Sequence, residues 1–254
     1  IGTAKISKEE MQGIPHYMID IKDPTESFSV AEFQEKAKSY IAAINQKGKL
    51  PLLVGGTGLY VQSVLYDYQF PNIGSDPAFR REMERFADKF GNHKLHQKLK
   101  ELDPESFNTI HPNNRRRVIR ALEVIHKTGK TVRESKAPKM PTIDKLILIG
   151  LTMERSELYD RINERVDRMI EKGLIEEARQ LIDQGIRNTQ AVQAIGYKEI
   201  YRLLEGDLSK DEAIELLKRN SRRFAKRQLT WFKNKMPIQW FNMSEKPIYK
   251  KKQE

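Results

Sequence analysis

The stretch from residue 50 to residue 60, Leu-Pro-Leu-Leu-Val-Gly-Gly-Thr-Gly-Leu-Tyr, constrains the fold of this chain more than any other. Its apolar run at 50–54 is long enough for a buried strand and too short for a helix. The three glycines within 55–58 then let the backbone turn sharply and approach a ligand closely. Residues 59–65 favour a helix, whose free N–H groups would face that turn. We therefore predict a strand–turn–helix unit, but not a Walker A loop, because the Gly-Lys-Ser/Thr ending is absent.

Strand and helix patterns also alternate elsewhere in the chain. Residues 17–21 predict a strand, and Ser29 then caps a helix that ends at Gly48. Residues 146–151 form a fully apolar strand, and residues 238–241 resemble a last one, with amphipathic helices between them. This order is typical of a parallel sheet with crossover helices, so we predict an α/β fold.

Residues 66–141 differ from the rest because they carry helical patterns and no convincing strand. Asp76 and Pro77 begin one helix, and Asn113 caps another, which runs to about residue 128. The linker-like segment 135–141 closes the region. We therefore predict an all-helical insertion at 66–141, within an α/β core made of residues 1–65 and 142–254.

The composition narrows the class of partner. The chain has 254 residues and a formal net charge of +11, which favours a polyanionic ligand. The absence of cysteine excludes disulfides, thiolate metal sites and a cysteine nucleophile, and the five histidines show no zinc-like pairing. No apolar run approaches the length that spans a bilayer, so we predict no membrane partner. The first residue is Ile1 rather than Met, and we expect that part of the site lies upstream of it.

The last predicted helix carries a run of cations with no acid among them. Like charges one turn apart destabilise a helix, and phosphates are the ligand that would compensate for this repulsion. An ordinary solvated face is the alternative, although such faces usually mix both signs. The run therefore favours a nucleic-acid partner. Its members are Lys218, Arg219, Arg222, Arg223, Lys226, Arg227, Lys233 and Lys235.

Two pairs of arginines are spaced one helical turn apart. Arg116 and Arg120 could reach one backbone stretch or one extruded base of a nucleic acid, while Arg117 projects elsewhere. Arg161 and Arg165 suit a pyrophosphate. The acids Asp160, Glu164 and Asp167 make salt bridging an equally good interpretation of that second pair.

The segment 193–198 breaks a helical pattern with a glycine. A nucleotide-binding loop is one interpretation, but spacing alone favours a kink or a close backbone approach.

Taken together, these segments resemble the tRNA dimethylallyltransferases, also called tRNA isopentenyltransferases. The resemblance extends over nearly the whole chain and rests on short motifs in the same order. The motifs are Ile1-Gly2-Thr3-Ala4-Lys5, Ile14-Pro15-His16, Asp20-Ile21-Lys22-Asp23-Pro24, Leu53-Val54-Gly55-Gly56-Thr57-Gly58-Leu59-Tyr60, Ile110-His111-Pro112-Asn113, Arg117-Val118-Ile119-Arg120-Ala121-Leu122-Glu123, Ala194-Ile195-Gly196-Tyr197-Lys198 and Ala225-Lys226-Arg227-Gln228-Leu229-Thr230-Trp231.

The resemblance implies a P-loop-NTPase-like core with a parallel sheet and flanking helices, plus an all-helical insertion domain that grips the tRNA anticodon stem-loop. It implies transfer of the dimethylallyl group from dimethylallyl diphosphate to the exocyclic N6 amine of the adenosine 3′-adjacent to the anticodon. It further implies Mg2+ as cofactor, a monomer and a cytoplasmic location. The family's Walker-type loop and the Asp-Ser-x-x-x-Tyr segment that supplies its general base are absent from this sequence, and we expect them upstream of Ile1.

The resemblance also implies site residues. Thr57 and Arg165 would be catalytic, and Gly55, Gly56, Arg161 and Arg165 would form the diphosphate site and the reaction channel. Contacts to tRNA would come from Thr57, Arg80, Arg116, Arg117, Arg120, Gln193, Gly196, Tyr197 and Lys198.

Three other functions compete with this one. An isopentenyltransferase acting on free adenine nucleotides shares the core chemistry, but it would need neither the helical insertion nor the basic last helix. A P-loop-derived RNA-binding module without catalysis is a second alternative. A kinase is disfavoured because no Gly-Lys-Ser/Thr is present.

Overall fold

A computed structural model describes residues 1–66, 68, 70, 74–131 and 146–244 of the chain. The chain divides into two compact units, one formed by Ile1–Val61 with Lys145–Glu254 and the other by Gln62–Asp144. In chain order the elements are α1 (Val30–Gln46), α2 (Gly58–Leu65), α3 (Pro77–Phe90), α4 (Asn92–Leu102), α5 (Pro104–Thr109), α6 (Arg115–Thr128), β1 (Ile149–Thr152), α7 (Arg155–Glu171), α8 (Leu174–Asp183), α9 (Tyr197–Leu204), α10 (Lys210–Lys235) and β2 (Gln239–Asn242).

The two strands of the first unit pair in parallel. Ile149 is opposite Gln239, and Gly150 is opposite Trp240. A Cβ at Gly150 would lie 2.6 Å from Cε3 of Trp240, so glycine is required where the large ring crosses the neighbouring strand. The parallel pair and its surrounding helices agree with the predicted α/β fold.

Two strand predictions are wrong. Residues 17–21 form no strand, because Met18 and Asp20 have φ angles of 66° and 52°, in the left-handed region that interrupts extended backbone. Residues 50–54 also form no strand, and no described strand pairs with them. Leu50 is 81% exposed and Val54 is 89% exposed, which is the opposite of the expected buried strand.

The core of the first unit lies among α7, α8, α9 and α10. Leu174, Ile200 and Leu217 are almost fully buried there, and Val166 of α7 is 3% exposed. The helical pattern that Gly196 breaks is helical only after the glycine: α9 begins at Tyr197, and residues 189–196 form turns instead of helix. The φ of Gly196, 108°, is accessible to glycine and strained for other residues.

The second unit has a separate core between α3, α4 and α6, in which Leu95, Leu99 and Val118 have no exposed surface. Asp76 caps α3 as predicted, accepting hydrogen bonds from the backbone N–H groups of Ala78 (3.1 Å) and Phe79 (3.0 Å). The cap of α6 is Asn114 rather than Asn113. The described residues of this unit contain no strand, and the linker predicted at 135–141 lies outside them.

Within the part of the chain that the structure describes, none of the helices combines the length and apolar character needed to cross a bilayer.

Candidate functional site

The glycine turn of the first unit packs against α10. A Cβ at Gly56 would lie 2.2 Å from Nε2 of Gln228, and a Cβ at Gly58 would lie 2.2 Å from Cε3 of Trp231. A Cβ at Gly55 would meet no atom within 4 Å. Two of the glycines are therefore needed for packing, and only Gly55 faces open space. Gln228 was not predicted as a site residue, although it stands in the Lys226-Arg227-Gln228 motif.

Thr57 lies at the start of α2. Its carbonyl oxygen accepts hydrogen bonds from the N–H groups of Tyr60 (2.9 Å) and Val61 (3.1 Å), which begin the helix. The residue is exposed, and its hydroxyl makes no hydrogen bond to the described residues. The hydroxyl is thus available to a ligand.

Arg161 and Arg165 are both exposed on α7 and make no ion pair with any described residue. The neighbouring acid Asp167 is instead 2.8 Å from Nζ of Lys218 on α10. Asn163, between the two arginines, accepts a hydrogen bond from Nη1 of Arg222 at 2.6 Å. Of the two interpretations left open by the spacing, salt bridging of this arginine pair is therefore not realised.

Part of the cationic run on α10 serves the fold rather than a ligand. Lys218 and Arg222 tie α10 to α7 through Asp167 and Asn163. Further along the helix, the guanidinium of Arg227 lies 5.7 Å from the ring centre of Phe224. The cations of this run that are exposed without an ion pair to the described residues are Arg219, Arg223, Lys226, Arg227, Lys233 and Lys235.

The segment 193–198 combines exposed and buried residues. Tyr197 is 7% exposed, and its hydroxyl donates a short hydrogen bond to Oε1 of Glu177. Burial, reinforced by this carboxylate, raises the pKa of Tyr197 well above its usual value. The backbone N–H of Gly196 donates to Oε2 of the buried Glu199 at 2.9 Å. Gly196 and Tyr197 therefore shape the start of α9.

Of the other two predicted residues of this segment, Gln193 is exposed, and Lys198 is partly exposed with its Nζ 3.5 Å from Oε1 of Glu199. Gln193 and Lys198 line an open cleft of about 440 Å³, together with Arg187 and Arg202. Each of the latter is next to an acid: Arg187 is 3.0 Å from Glu205, and Arg202 is 3.8 Å from an oxygen of Asp207. The cleft is polar and offers both cations and amides to a ligand.

The second unit presents the other predicted arginines. Arg116 and Arg117 are exposed on the first turns of α6 and have no ion pair with a described residue. Their neighbour Arg115 is fully engaged, since Nη1 is 2.7 Å from Asp88 and 3.0 Å from Glu84. These contacts anchor the start of α6 to α3 and leave the next two arginines directed to solvent.

Arg80 and Arg120 converge on one carboxylate, that of Glu123, which has no exposed surface. Burial alone would raise the pKa of Glu123, but hydrogen bonds from Arg80, the N–H of Asp76 and Arg120 lower it to about 2. Arg120 therefore shares this carboxylate with Arg80, whereas Arg116 makes no ion pair with a described residue. Glu123 was not predicted as a site residue, although it ends the motif Arg117–Glu123 and is the one acid of α6, whose other charged residues are basic.

The described residues contain no group of three or more His, Asp or Glu side chains that could hold a metal ion. They do not by themselves supply a set of ligands for the expected Mg2+.

These features define a class of protein: an α/β protein whose solvent-facing arginines suit phosphate-bearing ligands. A family model described as IPP transferase matches residues 1–235. The tRNA dimethylallyltransferase of Bacillus licheniformis is 59% identical over 256 residues, covering 100% of this chain and 82% of that protein.

Solved structures give the same result. The tRNA isopentenylpyrophosphate transferase of Bacillus halodurans matches with a TM-score of 0.68 and 54% identity, over 97% of this chain and 78% of that one. A eukaryotic dimethylallyltransferase acting on tRNA matches with a TM-score of 0.76 and 28% identity, over 95% of this chain and 63% of that one. The chain belongs to the IPP transferase family, and the resemblance drawn from its motifs is confirmed.

Proposed function

We propose that this chain is a tRNA dimethylallyltransferase. It transfers the dimethylallyl group of dimethylallyl diphosphate to the N6 amine of the adenosine just 3′ of the tRNA anticodon and releases pyrophosphate. The observation that carries the proposal is the family match over residues 1–235, together with a relative named for that activity at 59% identity. The exposed arginines of both units support it, because both substrates carry phosphate.

The chemistry requires stabilisation of a leaving group. The amine nitrogen forms a bond to the allylic carbon as the carbon–oxygen bond breaks, and the electron pair of that bond leaves with pyrophosphate. The amine proton passes to a general base. We assign Arg161 and Arg165 to the diphosphate, since cations placed where negative charge develops lower the barrier. Thr57, whose hydroxyl is available, is assigned to the amine, and Gly55 to the open wall of the channel.

The tRNA contacts are assigned to exposed residues of both units. In the second unit, the RNA would be bound by Arg80, Arg116, Arg117 and Arg120. In the polar cleft of the first unit, it would be bound by Gln193 and Lys198. Gly196 and Tyr197 would act through the shape of the turn. The adenosine must leave its stack to react, at a cost of a few kcal/mol that these contacts offset.

The finer architecture belongs to the same proposal. The core is P-loop-NTPase-like, residues 66–141 are an all-helical insertion, and the bound part of the tRNA is the anticodon stem-loop. The protein acts as a cytoplasmic monomer with Mg2+.

The test is incubation of the protein with labelled dimethylallyl diphosphate and either tRNA or AMP. Label in tRNA alone is the expected result. Label in AMP alone would favour the adenylate isopentenyltransferase. Binding of tRNA without transfer to either acceptor would favour the non-catalytic RNA-binding module. The same reaction with a tRNA lacking adenosine at the target position should give no label in RNA.

A further inference from the structure

In the second unit, the buried carboxylate of Glu123 lies beneath the guanidinium groups of Arg80 and Arg120. Its Oε1 accepts from Nε of Arg80 at 2.8 Å and from the N–H of Asp76 at 2.7 Å. Its Oε2 accepts from Nη2 of Arg80 at 2.7 Å and from Nη1 of Arg120 at 2.6 Å. The carboxylate is 0% exposed, whereas the two arginine side chains are 44% and 41% exposed.

This arrangement fixes the positions of both arginines. Arg80 binds the carboxylate with a two-pronged fork, which sets the plane as well as the place of its guanidinium. Arg120 is held by a single short bond from the same helix, α6. The carboxylate can exchange none of these partners for water, because it is buried. One anion therefore orders two cations and leaves a net positive charge facing solvent.

Both guanidinium groups keep N–H groups for a ligand. Nη1 of Arg80 and Nη2 of Arg120 make no hydrogen bond to any described residue. Long side chains lose rotamer freedom when they bind, and a site that is ordered beforehand avoids that loss.

We infer that Glu123 is a positioning residue for RNA: it holds Arg80 and Arg120 in a fixed arrangement that binds phosphates of the tRNA backbone. The inference rests on the proposed function for the identity of the RNA. It does not make Glu123 a catalytic residue, because the buried carboxylate contacts neither substrate.

Electrostatics and positioning predict opposite results when this carboxylate is neutralised. Glu123→Gln adds one unit of positive charge next to the arginines, so charge alone predicts tighter binding of RNA and a steeper dependence on salt. Positioning predicts weaker binding of RNA despite the added charge, because a neutral amide has one acceptor oxygen and cannot accept the hydrogen bonds of both guanidinium groups as a carboxylate does.

The experiment compares Glu123→Gln with Glu84→Gln in the same unit. Glu84 also pairs with an arginine, at 3.0 Å from Arg115, and its replacement adds the same charge. Arg115 keeps its second partner, Asp88, at 2.7 Å. We expect the Kd for tRNA, measured by filter binding over a salt series, to rise about tenfold in Glu123→Gln, the size of ordering one or two long side chains. Glu84→Gln should bind tRNA as tightly as the wild type or more tightly.

Steady-state kinetics separate positioning from a general loss of structure. The KM for tRNA should rise about tenfold, while kcat and the KM for dimethylallyl diphosphate change by less than about twofold. Thermal melting reports how much protein is folded. If Glu123→Gln is unfolded at the assay temperature, Glu123→Asp replaces it, because it keeps the charge but is one methylene too short for both arginines. It too should weaken tRNA binding.

Unchanged or tighter tRNA binding by a folded Glu123 variant would overturn the inference. So would an equal loss in Glu84→Gln. A wild-type protein that transfers no label to tRNA would instead refute the proposed function, and the affinities for RNA would still decide the role of Glu123.

Discussion

Gly58→Ala tests whether the glycine turn exists to let α10 approach. The added Cβ would lie 2.2, 2.5 and 2.6 Å from Cε3, Cδ2 and Cζ3 of Trp231. All three distances are far inside the optimal carbon–carbon separation of about 3.5–4.0 Å. The backbone itself tolerates alanine, because Gly58 has no positive φ. Any loss of stability therefore comes from the ring, which must move.

The expected loss can be bounded. Forcing one extra carbon into a packed site costs about 1–3 kcal/mol. Replacing glycine by alanine in a helix returns roughly 0.5–1 kcal/mol, and Gly58 is the first residue of α2. Because the added carbon would meet three ring atoms at 2.2–2.6 Å, the cost lies in the upper part of its range. The net destabilisation is then about 1–2.5 kcal/mol, which lowers Tm by about 2–10 °C for a chain of this size.

Gly55→Ala is the matched control, because its Cβ would meet nothing within 4 Å and its φ is also not positive. Tryptophan fluorescence is a suitable probe, since the chain has only two tryptophans and Trp231 is one of them. We expect Gly58→Ala to melt earlier and Gly55→Ala to match the wild type. Equal Tm values for Gly58→Ala and the wild type would refute the packing argument, as would a larger loss in Gly55→Ala.

Three further predictions concern single side chains. Arg165→Ala should lower kcat for prenyl transfer by about a hundredfold, because a group that stabilises the developing negative charge is lost. The Kd for tRNA should stay nearly unchanged. A comparable loss of tRNA binding in a filter assay would contradict this role. Arg117→Ala should weaken tRNA binding and reduce the slope of log K against log salt by about 0.9, with kcat at saturating tRNA retained. The hydrogen bonds that lower the pKa of Glu123 to about 2 should stabilise the fold by about 3 kcal/mol at neutral pH. This stabilisation is fully present above pH 5 and is lost as the pH falls towards 2. In urea unfolding, the difference in free energy of unfolding between wild type and Glu123→Gln should therefore shrink between pH 7 and pH 3. A difference that stays constant over this range would contradict the prediction.

Local features were predictable from the sequence because the groups that form them are close along the chain. Ser29 and Ser209 cap α1 and α10 through the backbone N–H three residues later, as the capping motifs require. Asp76 does the same for α3. The strands β1 and β2 were predicted from the patterns at 146–151 and 238–241, although their pairing was not, and the family followed from short motifs in a constant order.

The strand predictions at 17–21 and 50–54 failed for a physical reason. An apolar run only shows that a strand would be favourable if a neighbouring strand pairs with it and covers it. Residues 50–54 have no such neighbour among the described residues, and their side chains are exposed. Pairing is a property of the tertiary structure, so periodicity alone could not decide it.

The sequence by itself determined which residue types could serve a phosphate-bearing substrate, namely the arginines, the glycine turn and Thr57. Only the tertiary structure decided which of them are free to do so. It ties Lys218 to Asp167 across 51 positions of sequence. It fixes Arg80 on Glu123 across 43 positions while its side chain stays 44% exposed, and it leaves Arg161, Arg165 and Arg117 exposed without an ion pair to a described residue. Charge acts through distance in space, and these distances are set by how the helices pack rather than by spacing along the chain.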